Sequence, residues 1–200
     1  MVPPFSKGWY DDPGRDAVTF VTSAFWRRLD LPGHDVCRLE QRQDGWRLDG
    51  VAVFGSRTGP VSIAYSVDAD SGWKTVSGTV QGTIDTRRID HRITRGPTGW
   101  MLNGEIVRGL DHLVDLDLAF TPATNLLQLR RLDIPIGTAA EVPVVWFDLD
   151  TEGLTELPQR YERRAHGIYN YEAPTVGYRG VLELAPNGFI RRYPSLWEMT

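Results

Sequence analysis

Two hundred residues, 41% hydrophobic and 24% charged, suffice for one sizeable core and exclude a disordered chain. A formal charge of −4 leaves no surplus of Lys and Arg to coat a phosphate backbone, which argues against a nucleic-acid partner. The one cysteine, Cys37, can form neither an internal disulfide nor a Cys-based zinc site, and 20 Gly with 13 Pro favour short strands and tight turns over helices. We read residues 1–200 as one domain whose core holds it together unaided.

In chain order, residues 1–16 (MVPPFSKGWYDDPGRD) carry prolines and charges where a secretory signal needs a continuous apolar run. No later stretch reaches the length of a membrane span, so a cytoplasmic protein without stable membrane insertion is expected. From Val18 to Trp26, Val18, Phe20, Ala24 and Trp26 form an alternating apolar row interrupted by Thr22, the pattern of a strand with one wet face. After Gly59-Pro60 the alternation is cleaner, with Val61, Ile63, Tyr65 and Val67 on one side and Ser62, Ala64, Ser66 and Asp68 on the other.

Further strands are expected at 36–43, 46–54, 73–82, 83–93, 98–102, 105–118, 142–150, 159–171, 176–185 and 188–193, about eleven or twelve in all. Asn103-Gly104 is the best hairpin turn, because both residues tolerate the positive φ of a type I′ turn. Helical alternatives are short. In 121–130, Thr121-Pro122 offers a cap and a first-turn proline, but Leu126, Leu127, Leu129 and Leu132 fit strand spacing equally, and we expect a loop leading into a strand. The other is 151–158. The sum is an all-β chain: a large antiparallel curved sheet forming an incomplete barrel.

If 105–118 is a strand, Asp115 and Asp117 project from one face about 7 Å apart. That spacing resembles a glycosidase carboxylate pair, although a wet strand face or an ion pair with a nearby Arg explains it more simply. Arginine doublets at 130–131, 163–164 and 191–192 offer bidentate anion recognition, yet neighbours on a strand point to opposite faces. His34, His91, His112 and His166 show no metal-ligand spacing, and no nucleophile elbow, P-loop or dinucleotide fingerprint is present. No catalytic residue, metal or cofactor is therefore assigned. Tyr161, Tyr169 and Tyr171 share one parity, and Trp26, Trp46, Trp73, Trp100, Trp146 and Trp197 recur along the strands, either as core or as a ligand surface.

The run from Asp115 to Asn125, then Leu129-Arg130-Arg131-Leu132, Gln159-Arg160-Tyr161, Tyr169-Asn170-Tyr171 and Gly188 to Pro194, resembles the bacterial glycolipid-binding family, formerly a domain of unknown function. Weaker parts of the pattern lie at Ala64 to Asp68, at Trp73 and from Trp100 to Gly104. The resemblance implies an incomplete barrel similar to that of the lipoprotein localisation factors, and a glycolipid or other amphipathic small molecule on its concave face. It implies Asp115, Asp117, Thr124, Asn125, Arg130, Arg131, Arg160, Tyr161, Tyr169 and Tyr171 as ligand-binding. Three readings result: a non-catalytic carrier, a sugar- or lipid-modifying hydrolase or isomerase built on Asp115 and Asp117, or a purely architectural role in which the arginines neutralise the aspartates.

Overall fold

The computed structural model describes residues 18–200, so the N-terminal segment read above lies outside the described residues. Among these, the chain forms β1 (Thr19–Arg28), β2 (Gly33–Arg42), β3 (Gly45–Ser56), β4 (Gly59–Asp70), β5 (Thr75–Ile84), β6 (Arg87–Gly96), β7 (Gly99–Leu102), β8 (Glu105–Val107) and β9 (Leu116–Leu118). The helix α1 (Asn125–Leu132) follows, then β10 (Ala139–Glu141), β11 (Val144–Asp148), β12 (Gly153–Leu157), β13 (Arg160–Ala165), β14 (Ile168–Ala173), β15 (Tyr178–Leu184), β16 (Ile190–Tyr193) and β17 (Trp197–Met199). Fourteen strands make one antiparallel sheet, ordered β10-β13-β14-β15-β16-β17-β1 and then β2 through β8, and it does not close into a barrel. The small sheet β12-β11-β9 pairs β9 parallel to β11.

The alternation read from sequence sets these strands. In β4, Val61, Ile63, Tyr65 and Val67 are all buried. Gly50, on the neighbouring strand β3, makes room for one of them, since a Cβ there would lie 2.3 Å from the Tyr65 ring. Asn103 (φ 53°) and Gly104 (φ 86°) form the expected turn between β7 and β8.

Five expectations are corrected. In β1, a bulge between Phe20 and Thr22 shifts the register, and β17 covers only Trp26 to Arg28; Ala24 and Trp26 are buried, but Val18 and Phe20 are 46% and 60% exposed. The single strand over 105–118 is two, β8 and β9, because Gly109 turns at φ 83°. The segment 151–158 is mostly strand, β12, and 159–171 is a hairpin whose turn uses Gly167 at φ 68°. Pairing of Tyr161 with Tyr171, and of Arg163 with Tyr169, keeps all three tyrosines on the inner face.

The fifth correction matters most. Residues 125–132 are a helix, not a loop entering a strand. Asn125 to Leu129 are buried, and a helix satisfies its own backbone where a strand would need a partner. Arg130 and Arg131 occupy the last turn, where cations complement the helix dipole, and Asp133 ends it in the left-handed conformation at φ 38°. Leu126 and Leu127 pack into a core with β1 to β7, whereas Leu129 packs into a second core with Tyr161, Tyr169 and Tyr171. The helix thus divides the interior.

Candidate functional site

A buried polar partition accompanies the helix. Asp115, fully buried just before β9, receives both prongs of Arg131: Nε donates to Oδ1 at 3.0 Å and Nη2 to Oδ2 at 2.5 Å. Asp117, two residues on and facing the same way, accepts from Thr124 Oγ1 at 3.0 Å and from Gln159 Nε2 at 2.6 Å. The Tyr161 hydroxyl accepts from Asn125 Nδ2 at 2.8 Å and donates towards Gln128 Oε1 at 3.0 Å. Burial pushes both carboxyls above the usual carboxylate range, with Arg131 offsetting the effect at Asp115, and Gln159 and Thr124 offsetting it at Asp117. The shared face expected for the two aspartates is present, but it points inward, with Asp115 fully buried and Asp117 nearly so.

Two cavities flank this partition at opposite ends of α1. The larger, about 490 Å³, lies by its C-terminal half among Leu129, Tyr169, Leu184 and Trp73, with Arg130, Arg163, His166 and Asp133 around it. Arg130 donates to the Asn187 carbonyl at 3.0 Å and stands 5.9 Å from the Trp73 ring, itself stacked on Trp46 at 4.2 Å. The smaller cavity, about 230 Å³, opens by Asn125 and is walled by Trp146, Tyr171, Tyr178, Tyr193 and Trp197, with Asp117 and Thr121. Tyr169 and Tyr171, two positions apart on β14, serve one cavity each.

The ten residues implied by the resemblance therefore separate. Asp115, Thr124, Arg131 and Tyr161 belong to the partition and line neither cavity; Asp117, Asn125 and Tyr171 line the smaller, and Arg130 and Tyr169 the larger. Arg160 stands outside the site, half-exposed and 3.4 Å from Glu141, because strand alternation turns it away from Tyr161. The aspartates do not flank a common opening, as paired catalytic carboxylates must, so the hydrolase or isomerase reading has no geometric support.

Sequence reasoning missed Asp35. It lies on the inner face of β2, fully buried, and accepts from the Tyr65 hydroxyl at 3.0 Å and from Thr121, whose oxygen also receives the Ala123 N–H. Burial raises its pKa to about 7 against the pull of these donors. The signal was its parity with Cys37 and Leu39, which puts an acid where an apolar residue belongs. His166 had no signal, since its place depends on the β13–β14 turn.

These features fit a family model that matches the chain over residues 23–199, described as "Putative glycolipid-binding". The chain belongs to this glycolipid-binding family. A crystal structure of a DUF1089 family protein from Pseudomonas aeruginosa shares its fold, with a TM-score of 0.71 over 99% of each chain at 19% identity. No curated protein matches the chain. Among the described residues, no helix of this family member is long and apolar enough to cross a membrane, and no three His, Cys, Asp or Glu side chains gather as a metal site.

Proposed function

We propose that the protein binds, without chemical conversion, an amphipathic molecule of the glycolipid class in the larger cavity. The observation that carries this reading is the cavity's division of chemistry. Leu129, Tyr169, Leu184 and Trp73 offer an apolar surface, and Arg130, Arg163 and His166 offer donors to a polar head group. A volume of about 490 Å³ falls within the range of small-molecule sites, which are mostly apolar with a few placed polar groups. Apolar burial supplies most of the affinity, and the guanidinium groups fix which end of the ligand faces out. Membership of a family described by glycolipid binding supports the same class.

Native mass spectrometry of the protein after exposure to a bacterial lipid extract tests the reading. A bound lipid, together with a rise in thermal midpoint, is the expected result. Ala185→Trp, which fills the cavity, removes both effects, and Arg130→Ala weakens binding. An extract that leaves neither mass nor midpoint changed overturns the proposal.

A further inference from the structure

The smaller cavity differs from the larger in size, wall and charge, and its polar groups are arranged for a different kind of molecule. Tyr171, Tyr178 and Tyr193 form a continuous aromatic wall, with ring centroids 5.0–5.8 Å apart. Trp146, opposite Asp117 in the β9–β11 register, and Trp197 extend the lining. The Tyr178 hydroxyl is committed to the Pro194 carbonyl at 2.9 Å, which holds its ring in place. The Tyr171 and Tyr193 hydroxyls face each other and, among the described residues, bond to no other protein group; the Asn125 carbonyl oxygen, whose amide already serves Tyr161, has no protein partner. Asp117 accepts one bond on each oxygen and retains lone pairs.

We infer that this cavity is a binding site for a neutral, polyhydroxylated ring of monosaccharide size, separate from the larger cavity. Aromatic rings give such a molecule an apolar face to pack against, while hydroxyls, an amide oxygen and a carboxylate take its hydroxyl groups. Asp117 is the one charged residue in the lining, so no cation is available to draw in a phosphate or carboxylate. At about 230 Å³ the space is below that of drug-sized ligands, which suits a single ring and excludes a lipid tail. The tyrosine rings are too close together to enclose a quaternary ammonium between them.

The inference does not rest on what occupies the larger cavity, and its test separates the two. The full chain is titrated with the methyl glycosides of glucose, galactose and mannose, with tetramethylammonium and inorganic phosphate as charged controls, by saturation-transfer NMR and tryptophan emission. At least one glycoside is expected to receive saturation and change the emission, through Trp146 and Trp197. Tyr171→Phe and Tyr193→Phe, each removing one hydroxyl from the lining, weaken it by about three- to tenfold with thermal midpoints retained. Ala185→Trp in the larger cavity leaves glycoside affinity unchanged. Binding of none of the glycosides, a preference for tetramethylammonium or phosphate, or glycoside binding lost in Ala185→Trp but indifferent to both tyrosine variants overturns the inference.

Discussion

The two cavities are made by the same strand and the same helix, yet their chemistries are opposed. Around the larger, Arg130 and Arg163 outnumber Asp133; in the smaller, Asp117 is the one charge and aromatic rings replace the guanidinium groups. What separates them is a helix whose inward polar groups bond to each other. A continuous apolar core would leave one undivided interior, so the buried Asp, Asn, Gln and Tyr side chains define a boundary as well as a fold. Such networks are stabilising only when their members are satisfied together, which makes this boundary the most sensitive part of the molecule.

The largest effect is therefore expected at Arg131. Arg131→Met leaves the Asp115 carboxylate buried without its bidentate partner, a change that costs about 3–5 kcal/mol. Replacing both, Asp115→Leu with Arg131→Met, recovers most of that loss in urea unfolding. If the single variant unfolds at the wild-type midpoint, the partition is not held by this pair.

Next in size is a pH effect at Asp35, which accepts from Thr121 in the lining of the smaller cavity. Between the ordinary carboxyl value of 3.8 and its folded value of about 7, Asp35 keeps a proton that the unfolded chain has released. Stability accordingly falls as pH rises through that window, by on the order of 2–4 kcal/mol, and Asp117, also shifted upward, adds in the same direction. Asp35→Asn, which cannot ionise, should flatten the decline in thermal midpoint between pH 5 and pH 8. A slope equal to that of the wild type assigns the titration to another group.

Smaller again is Tyr161→Phe, which removes the hydroxyl shared by Asn125 and Gln128. Leaving those buried amides short of a partner costs about 1–3 kcal/mol, read as a shift in urea midpoint without change of slope. A neutral result shows that water replaces the hydroxyl.

Much of the fold was legible because strands of one wet face announce themselves: Val61 to Val67 needed only alternation, and Asn103-Gly104 only its tolerance of positive φ. The helix was not, since Leu126, Leu127 and Leu129 satisfy both periods; the choice was made by the enclosure of the segment, which no local window contains. The site was half legible for a related reason. The family resemblance grouped Asp115, Asp117, Asn125 and the tyrosines, which the structure places around α1, but it could not tell a residue bonded within the partition from one facing a cavity. Tyr169 and Tyr171 have the same parity and different cavities. Asp35 and His166 were hidden because the first is paired across strands with distant hydroxyls and the second is placed by a turn.

The smallest expected effects come from two arginines on different elements and test whether pattern or position decides a residue's role. Arg130 and Arg160 were both grouped with the ligand by motif. Arg160 is a half-exposed partner of Glu141, and a surface pair of this kind is worth little, so Arg160→Ala should change stability by less than about 0.5 kcal/mol and leave lipid and glycoside binding untouched. Gly188→Ala sits between the two cases. At φ 91°, with Arg130 Nη2 only 2.8 Å from where the new Cβ would stand, it strains the β15–β16 turn by about 1 kcal/mol and displaces the guanidinium. Lipid binding in the larger cavity should then weaken while glycoside binding in the smaller does not. Equal loss at both cavities means that displacing Arg130 disturbs the helix itself, and the two cavities are then coupled through α1 instead of divided by it.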